Sequence, residues 1–350
     1  MRWRWLIVLA CFAVLAVACA KDRLRSYEIE AAPGFLFWEH PFHFDCTDRY
    51  PGKPLPPGVH SYVTVNPQIP YSYTRLDTLN LPRSQLPALT LATENGAFIE
   101  VSIQGVRQDD WKVQFCARGE GNTEAEARGY LSTVSMRQTG GLVTLDGGNV
   151  GLIGPGGPPG GRGNLLVDAP ADAPVIVDSA SGAIAVHDMD GPVRLTAPHG
   201  RITVLNTTGR VDASGGIVDF AGFSGTVSAT ATMEADIKIT EQRFEGKVSV
   251  YAIREARVLV PKGFQTPMEL MVRRAKDFIC RADICEAMQQ KKNGDWTVFT
   301  YAGDGGATTD HVSVQSESST VVVDNPQVDG RFPWSMPDRR VDKTAAPRGE

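Results

Sequence analysis

From Pro174 onward, short alternations of apolar and polar residues recur in pairs. Pro174–Asp178 alternates, turns at Ser181-Gly182, alternates again over Ala183–His187 and closes at Gly191. The next unit runs Pro192–Thr196, turns at His199-Gly200, continues Arg201–Leu205 and closes at Gly209. Arg210–Ser214 and Ile217–Phe220 flank Gly215-Gly216 and close at Gly225. Thr226–Thr230 and Asp236–Thr240 close at Gly246, and Lys247–Tyr251 with Arg257–Pro261 make the last clear pair. The period of two predicts strands. Val193, Leu195, Ile202, Val204, Ile237, Ile239, Val248 and Val250 point one way, and Arg194, Thr203, Lys238 and Ser249 the other. One such unit cannot bury its apolar row alone, whereas stacked units bury a continuous core. The expected fold is all-β, a β-solenoid (β-helix-like) of two-strand repeats. Glycine at the corners admits positive φ and close backbone approach. An antiparallel sandwich also suits turns at this spacing. Recurrence of the two-strand unit in the same order favours coiling.

Residues 93–146 read as strand, strand, short helix, strand, strand. Ile99, Val101 and Ile103 share a face, Trp111, Val113 and Phe115 alternate, and Thr123-Glu-Ala-Glu126 fits a capping box. Val134 and Met136 follow, then Leu142, Val143 and Leu145. Residues 147–163 hold nine glycines and three prolines. They lack the Lys-Ser or Lys-Thr of a phosphate cradle, so a flexible exposed loop is expected. Residues 93–325 are expected to form the solenoid domain, with Trp296–Tyr301, Val312–Val314 and Thr320–Asp324 as closing strands. Residues 19–92 are rich in proline and aromatics, including Phe35, Phe37, Trp38, Phe42 and Phe44, and are expected as an irregular segment covering one end of that domain. Residues 326–350 have no period and are expected as a disordered tail.

The start of the chain sets the compartment. Arg2 and Arg4 precede an uncharged run, Leu6–Ala18, that is too short to span a bilayer but suits a signal peptide at 1–18. It ends Leu15-Ala-Val-Ala-Cys19, a lipobox-like sequence in which Cys19 is the expected lipidation site. More than one acyl chain there would anchor the protein stably. The net charge is −5. Without strong basicity, nucleic acid is not an expected partner. The membrane is, through the anchor. Four later cysteines, Cys46, Cys116, Cys280 and Cys285, suggest two disulfides among three possible pairings in an exported chain. Cys280 and Cys285 are close enough to pair locally, which would leave Cys46 with Cys116. His40, His43, Asp45 and Cys46 are adjacent, but exported cysteines favour disulfides, so no metal site and no cofactor are expected.

No catalytic motif is recognisable: there is no Gly-x-Ser-x-Gly, HExxH or nonapeptide calcium repeat. Asp178, Asp188, Asp190, Asp212, Asp219 and Asp236 are spread along the repeat, and no spacing forces two carboxylates together. His187 and His199 read as solvated turn residues.

Asn95–Val101, Trp111–Phe115, the Glu124–Leu131 helix and the runs ending Ser181–Val186 and His199–Val204 carry a family resemblance. From about Asn95 to Asn325 the chain resembles the bacterial putative-adhesin domain family (DUF4097-like). The long Gly/Pro loop and the Cys280–Cys285 insertion depart from that family's pattern. The resemblance implies a cell-envelope protein with a β-helical body, and neither a defined ligand nor a catalytic residue. The expectation is therefore a non-enzymatic, lipid-anchored envelope protein that binds or scaffolds an envelope or extracellular glycan or protein. The alternatives are a polysaccharide-active β-helix enzyme and a periplasmic signalling or assembly subunit. Mass spectrometry of the mature N terminus should find an acylated Cys19, and Cys19→Ala should release the chain from the membrane fraction. An unmodified N terminus would remove the anchor.

Overall fold

Each apolar row found in the sequence meets a counterpart in the strands beside it. The computed structural model describes residues 46, 48, 50–51, 69–94, 99–147, 159–179, 182–304, 310–317 and 320–325. The expected signal peptide, Cys19, most of the segment before residue 69, loop residues 148–158 and the tail from 326 lie outside these. Strands β1 (Tyr71–Pro82), β2 (Leu89–Glu94), β3 (Ile99–Val106) and β4 (Asp110–Gly121) lead into helix α1 (Glu124–Thr133). There follow β5 (Ser135–Thr139), β6 (Leu142–Asp146), β7 (Gly160–Pro170), β8 (Val175–Asp178) and β9 (Ile184–His187). The central strands are β10 (Val193–Leu205), β11 (Arg210–Ala221) and β12 (Gly225–Lys238). The last are β13 (Gly246–Ala252), β14 (Glu255–Leu259), β15 (Met268–Val272), β16 (Phe278–Cys280), β17 (Gln289–Asn293), β18 (Trp296–Tyr301), β19 (His311–Ser316) and β20 (Val321–Asp324). The described residues are all-β apart from α1 and two short 3-10 turns, and the mixed sheet does not close.

Two parallel ladders organise it. The first runs β6, β2, β8, the front halves of β10, β11 and β12, then β13, β19 and β15. The second runs β7, β3, β9, the back halves of β10, β11 and β12, then β14, β20 and β16. In-register pairing stacks like on like. One column in the first ladder is Leu89, Val175, Val193, Val211, Val227, Val248, Val312 and Met268. Its counterpart in the second is Val101, Ile184, Ile202, Val218, Ala235, Ala256 and Val321. All of these side chains, Val193, Ile202 and Val227 among them, are buried in one apolar core together with Ile237. Each buried valine or isoleucine contributes roughly 1.5–3 kcal/mol, so no single rung could stabilise itself.

Several expectations are corrected. The two-strand units of the centre are single bent strands: β10, β11 and β12 each serve both ladders, with register shifts between Ala197 and Arg201 and between Gly215 and Ile217. The bend at Gly200 lies so close to the carbonyl of Gly182 that a side chain would overlap it, and pairing with β11 resumes at Arg201 beyond the corner. At the closing corners, a Cβ on Gly209 would lie 2.5 Å from the Gly191 oxygen, and one on Gly246 would overlap the Gly225 carbonyl. Gly246 also has φ +134°, a conformation few other residues adopt.

Thr203 does not face solvent; it is 1% exposed, because the outer side of the second ladder is covered around β9–β11, where Ala185, Leu205 and Asp219 are also buried. The end of the Gly/Pro loop is not loose either. Residues 160–163 belong to β7, and a Cβ at Gly163 would overlap the Phe115 ring, so glycine here serves packing. β19 and β20 do not close the stack. They insert between β13/β14 and β15/β16, because their edges pair on both sides.

The ends differ from the body. At one, β4 runs antiparallel to β7, β1 antiparallel to β4, and β5 antiparallel to β6. β1 extends over 12 residues in a stretch expected to be irregular, because Pro70 and Pro82 bracket a segment free of breakers. α1 starts where expected: the Thr123 hydroxyl accepts from the Glu126 N–H at 3.2 Å, and the Glu126 carboxylate accepts from the Asn122 N–H. It rides on Gly119 and Gly121 of β4, where any side chain would overlap its backbone. At the other end β18 covers β15 and β17 covers β18, both antiparallel. β17 is exposed throughout and carries Lys291 and Lys292, charges that oppose pairing with a further chain.

Two glycine substitutions test the corner argument by thermal unfolding. Gly246→Ala should cost about 2 kcal/mol or more. Gly129→Ala, on α1 with open space around it, should stabilise by roughly 0.5–1 kcal/mol. A harmless Gly246→Ala would contradict the close stacking of corners.

Candidate functional site

The four late cysteines form two disulfides, Cys46–Cys116 and Cys280–Cys285. The first holds the N-terminal segment to the outer side of β4. Nearby, the Asp48 carboxylate accepts from the backbone N–H and hydroxyl of Thr74, at 2.6 and 2.9 Å, and Tyr50 stacks on Tyr73. Its sulfur is therefore unavailable as a thiolate ligand. His40, His43 and Asp45 lie outside the described residues, among which no cluster could hold a metal ion. The same side of the sheet carries buried charge that the sequence pattern did not reveal. Arg118 and Glu120 are buried on β4, and Arg162 Nε of β7 lies 3.2 Å from Glu120 Oε2. Burial raises the Glu100 carboxyl, opposed by the charges of Arg118 and Arg162.

The outward side of the first ladder is different in kind. Thr196, Ser214 and Thr230 form one column, and Ser228, Ser249 and Ser313 the next. Ser214, Ser228, Thr230 and Ser249 are exposed, and Thr196 and Ser313 half-buried. Neighbours across the strands are spaced by about 4.8 Å, and neighbours along one strand by about 6.6 Å. Each hydroxyl can donate one hydrogen bond and accept two. The first column ends at Tyr251, whose hydroxyl donates to the Glu317 carboxylate, and the second ends at Glu269 beside Ser313. Arg194 and Asp212 flank them. The result is a run of hydroxyls over β10–β13 and β19, bordered by the charged side chains of Asp178, Arg194, Asp212 and Glu269.

The aspartates separate. Asp178 ends β8 in the first ladder, Asp212 pairs with Arg210 on its own strand, and Asp190 accepts from the Thr208 hydroxyl at 2.6 Å. Asp188 sits at a turn with φ +57° and lies 2.7 Å from His187 Nδ1. His187 is buried rather than solvated, because it ends β9 beside Leu205, whereas His199 is exposed at a corner; the two are not neighbours. Asp219 and Asp236, however, are register partners on β11 and β12 and share the outer side of the second ladder. Asp219 is 3% exposed; its Oδ2 accepts from Arg201 Nε at 2.7 Å and from the Thr203 hydroxyl at 3.4 Å. Asp236 Oδ2 lies 3.9 Å from Arg257, which also donates to Glu255. Burial raises the Asp219 carboxyl against the pull of Arg201. Burial and the charge of Asp219 push Asp236 up to about 6. Burial, then Asp236 and Glu255, raise Glu234.

No family model matches the chain, and no curated protein matches it. Among solved structures it is similar to a "putative cell adhesion protein" from Clostridium sporogenes, at 12% identity and a TM-score of 0.26, covering 72% of this chain and 98% of that one. A "putative adhesin" from Bacteroides fragilis matches at 8% identity and 0.25, covering 72% and 97%. A "putative lipid binding protein" from Parabacteroides distasonis matches at 10% and 0.24, covering 71% and 96%. Identities and TM-scores this low establish neither a shared function nor a shared backbone course.

Removal of the disulfides should rank by loop length. Cys116→Ala opens a 70-residue loop and should cost about 4 kcal/mol, and Cys285→Ala opens a 5-residue loop and should cost about 2 kcal/mol. Denaturant titration measures both, and a non-reducing thiol count on the wild-type protein should find no free thiol among the four.

Proposed function

We propose that this chain is a non-enzymatic, lipid-anchored bacterial envelope protein whose two ladders coil as an adhesin-like β-solenoid. Its role is binding or scaffolding, with the outward side of the first ladder as the contact surface. The observation that carries this reading is the in-register pair of hydroxyl columns over β10–β13 and β19. A repeating polymer such as an envelope or extracellular glycan can meet such a surface at several rungs at once. Each contact is weak, and their sum is strong because the rungs are fixed relative to one another. The export signal, the lipobox-like Cys19 and the disulfides support an envelope location.

The pairing of Asp219 with Asp236 favours a second reading, an enzyme acting on polysaccharide, because two neighbouring carboxylates are the equipment of glycoside hydrolysis. Burial weighs against it: Asp219 is 3% exposed with Oδ2 held by Arg201, and both Oδ1 atoms are buried, which leaves half-buried Asp236 as the one accessible carboxylate of the two.

A glycan array probed with residues 20–325 should show binding that increases with chain length. Replacing Ser228 and Thr230 by glutamate should reduce it about tenfold or more without shifting the melting temperature. Unchanged binding by the double variant would move the contact surface elsewhere, and glycan cleavage by the wild type would favour the enzyme.

A further inference from the structure

We propose that Asp219 and Asp236 hold one proton between them and so act as an acid-strengthened clasp between β11 and β12. The parallel register sets the two residues side by side on neighbouring strands, about 4.8 Å apart along the ladder. Each turns Oδ2 to an arginine, Arg201 for Asp219 and Arg257 for Asp236. Each leaves a buried Oδ1 with no hydrogen-bond partner among the described residues. Two ionised carboxylates in that position repel each other and leave two acceptors unsatisfied; one proton relieves both costs.

Charge on the surrounding strands points the same way. Outward positions facing the pair carry Arg201 and Thr203 on β10, Glu234 and Lys238 on β12, and Glu255 and Arg257 on β14. On β11 the neighbours two residues away, Ile217 and Ala221, carry no charge. Four carboxylates therefore meet three cations, and one bound proton balances the patch. On deprotonation the pair passes its proton to water and gains one negative charge, with no change in covalent structure.

The sign follows from linkage. Asp236 shifts from 3.8 to about 6 on folding, so between about pH 4 and pH 6 the folded chain holds a proton that the unfolded chain has lost. The clasp is fully engaged below that window and released as pH rises through it. The full shift corresponds to about 100-fold in the folding equilibrium constant.

Carboxyl-carbon NMR on the exported wild-type protein tests this. Asp219 and Asp236 should titrate as a coupled pair with one step well above the ordinary aspartate range. Asp219→Asn should return Asp236 toward that range. Asp236→Asn should be more stable than wild type at pH 8 and equal to it at pH 4. Ordinary, independent titrations of both residues in the wild type would overturn the proposal, even if neither variant folds. So would an Asp236 titration indifferent to Asp219→Asn.

Discussion

In-register parallel pairing is the constraint on which this structure depends. A parallel ladder sets each residue beside its equivalent on the next rung, so whatever one rung presents is repeated at strand spacing. Inside, this places valine on valine and isoleucine on isoleucine, and rungs too small to stand alone become one dry core. At the corners it brings backbone onto backbone. Gly191, Gly209, Gly225 and Gly246 stack so closely that their missing side chains are a condition of the fold. Outside, the same rule has opposite consequences for two chemistries. Hydroxyls stacked on hydroxyls make a neutral surface, whereas carboxylates stacked on carboxylates make a strained, proton-seeking one.

A periodic stack also has two open ends, and the chain treats them differently from the body. At one end antiparallel strands, a helix docked on glycines and the Cys46–Cys116 disulfide cover the last rungs. At the other, an antiparallel hairpin with an exposed, lysine-bearing edge strand does so. Charge on that edge opposes the strand addition that a bare parallel ladder would invite. The buried Arg118, Glu120 and Arg162 lie at the first of these ends, where the sequence loses its period.

The central rungs were legible because period-two alternation and evenly placed glycines are local signals. Val193, Ile202, Val227 and Ile237 fall in the core, and α1 begins at its capping threonine. Misreadings cluster where a distant segment decides the environment. Thr203 alternates as an outward residue, yet the outer side there is covered. Gly161 and Gly163 look like loop glycines, yet they make room for Val134 and Phe115. β19 and β20 come near the end of the chain, yet their place is the rung before the last.

The sequence by itself determined the all-β character, the length of the central rungs, the side each apolar residue takes there and the supply of cysteines. The order of rungs at both ends belonged to the tertiary structure, because any strand with a matching apolar row can enter the ladder. So did the meeting of Asp219 with Asp236. A constant 16-residue offset, as between Arg210 and Thr226, would set Asp219 beside Ala235. The register shift between Gly215 and Ile217 adds one residue to that offset and brings Asp236 into its place. A shift of one residue exchanges the two sides of a strand: β11 buries Val211 and Ala213 before the corner but Val218 and Phe220 after it, whereas β12 buries Val227, Ala229, Ala235 and Ile237 on one parity, and only the pairing of the two strands decides which residues then meet.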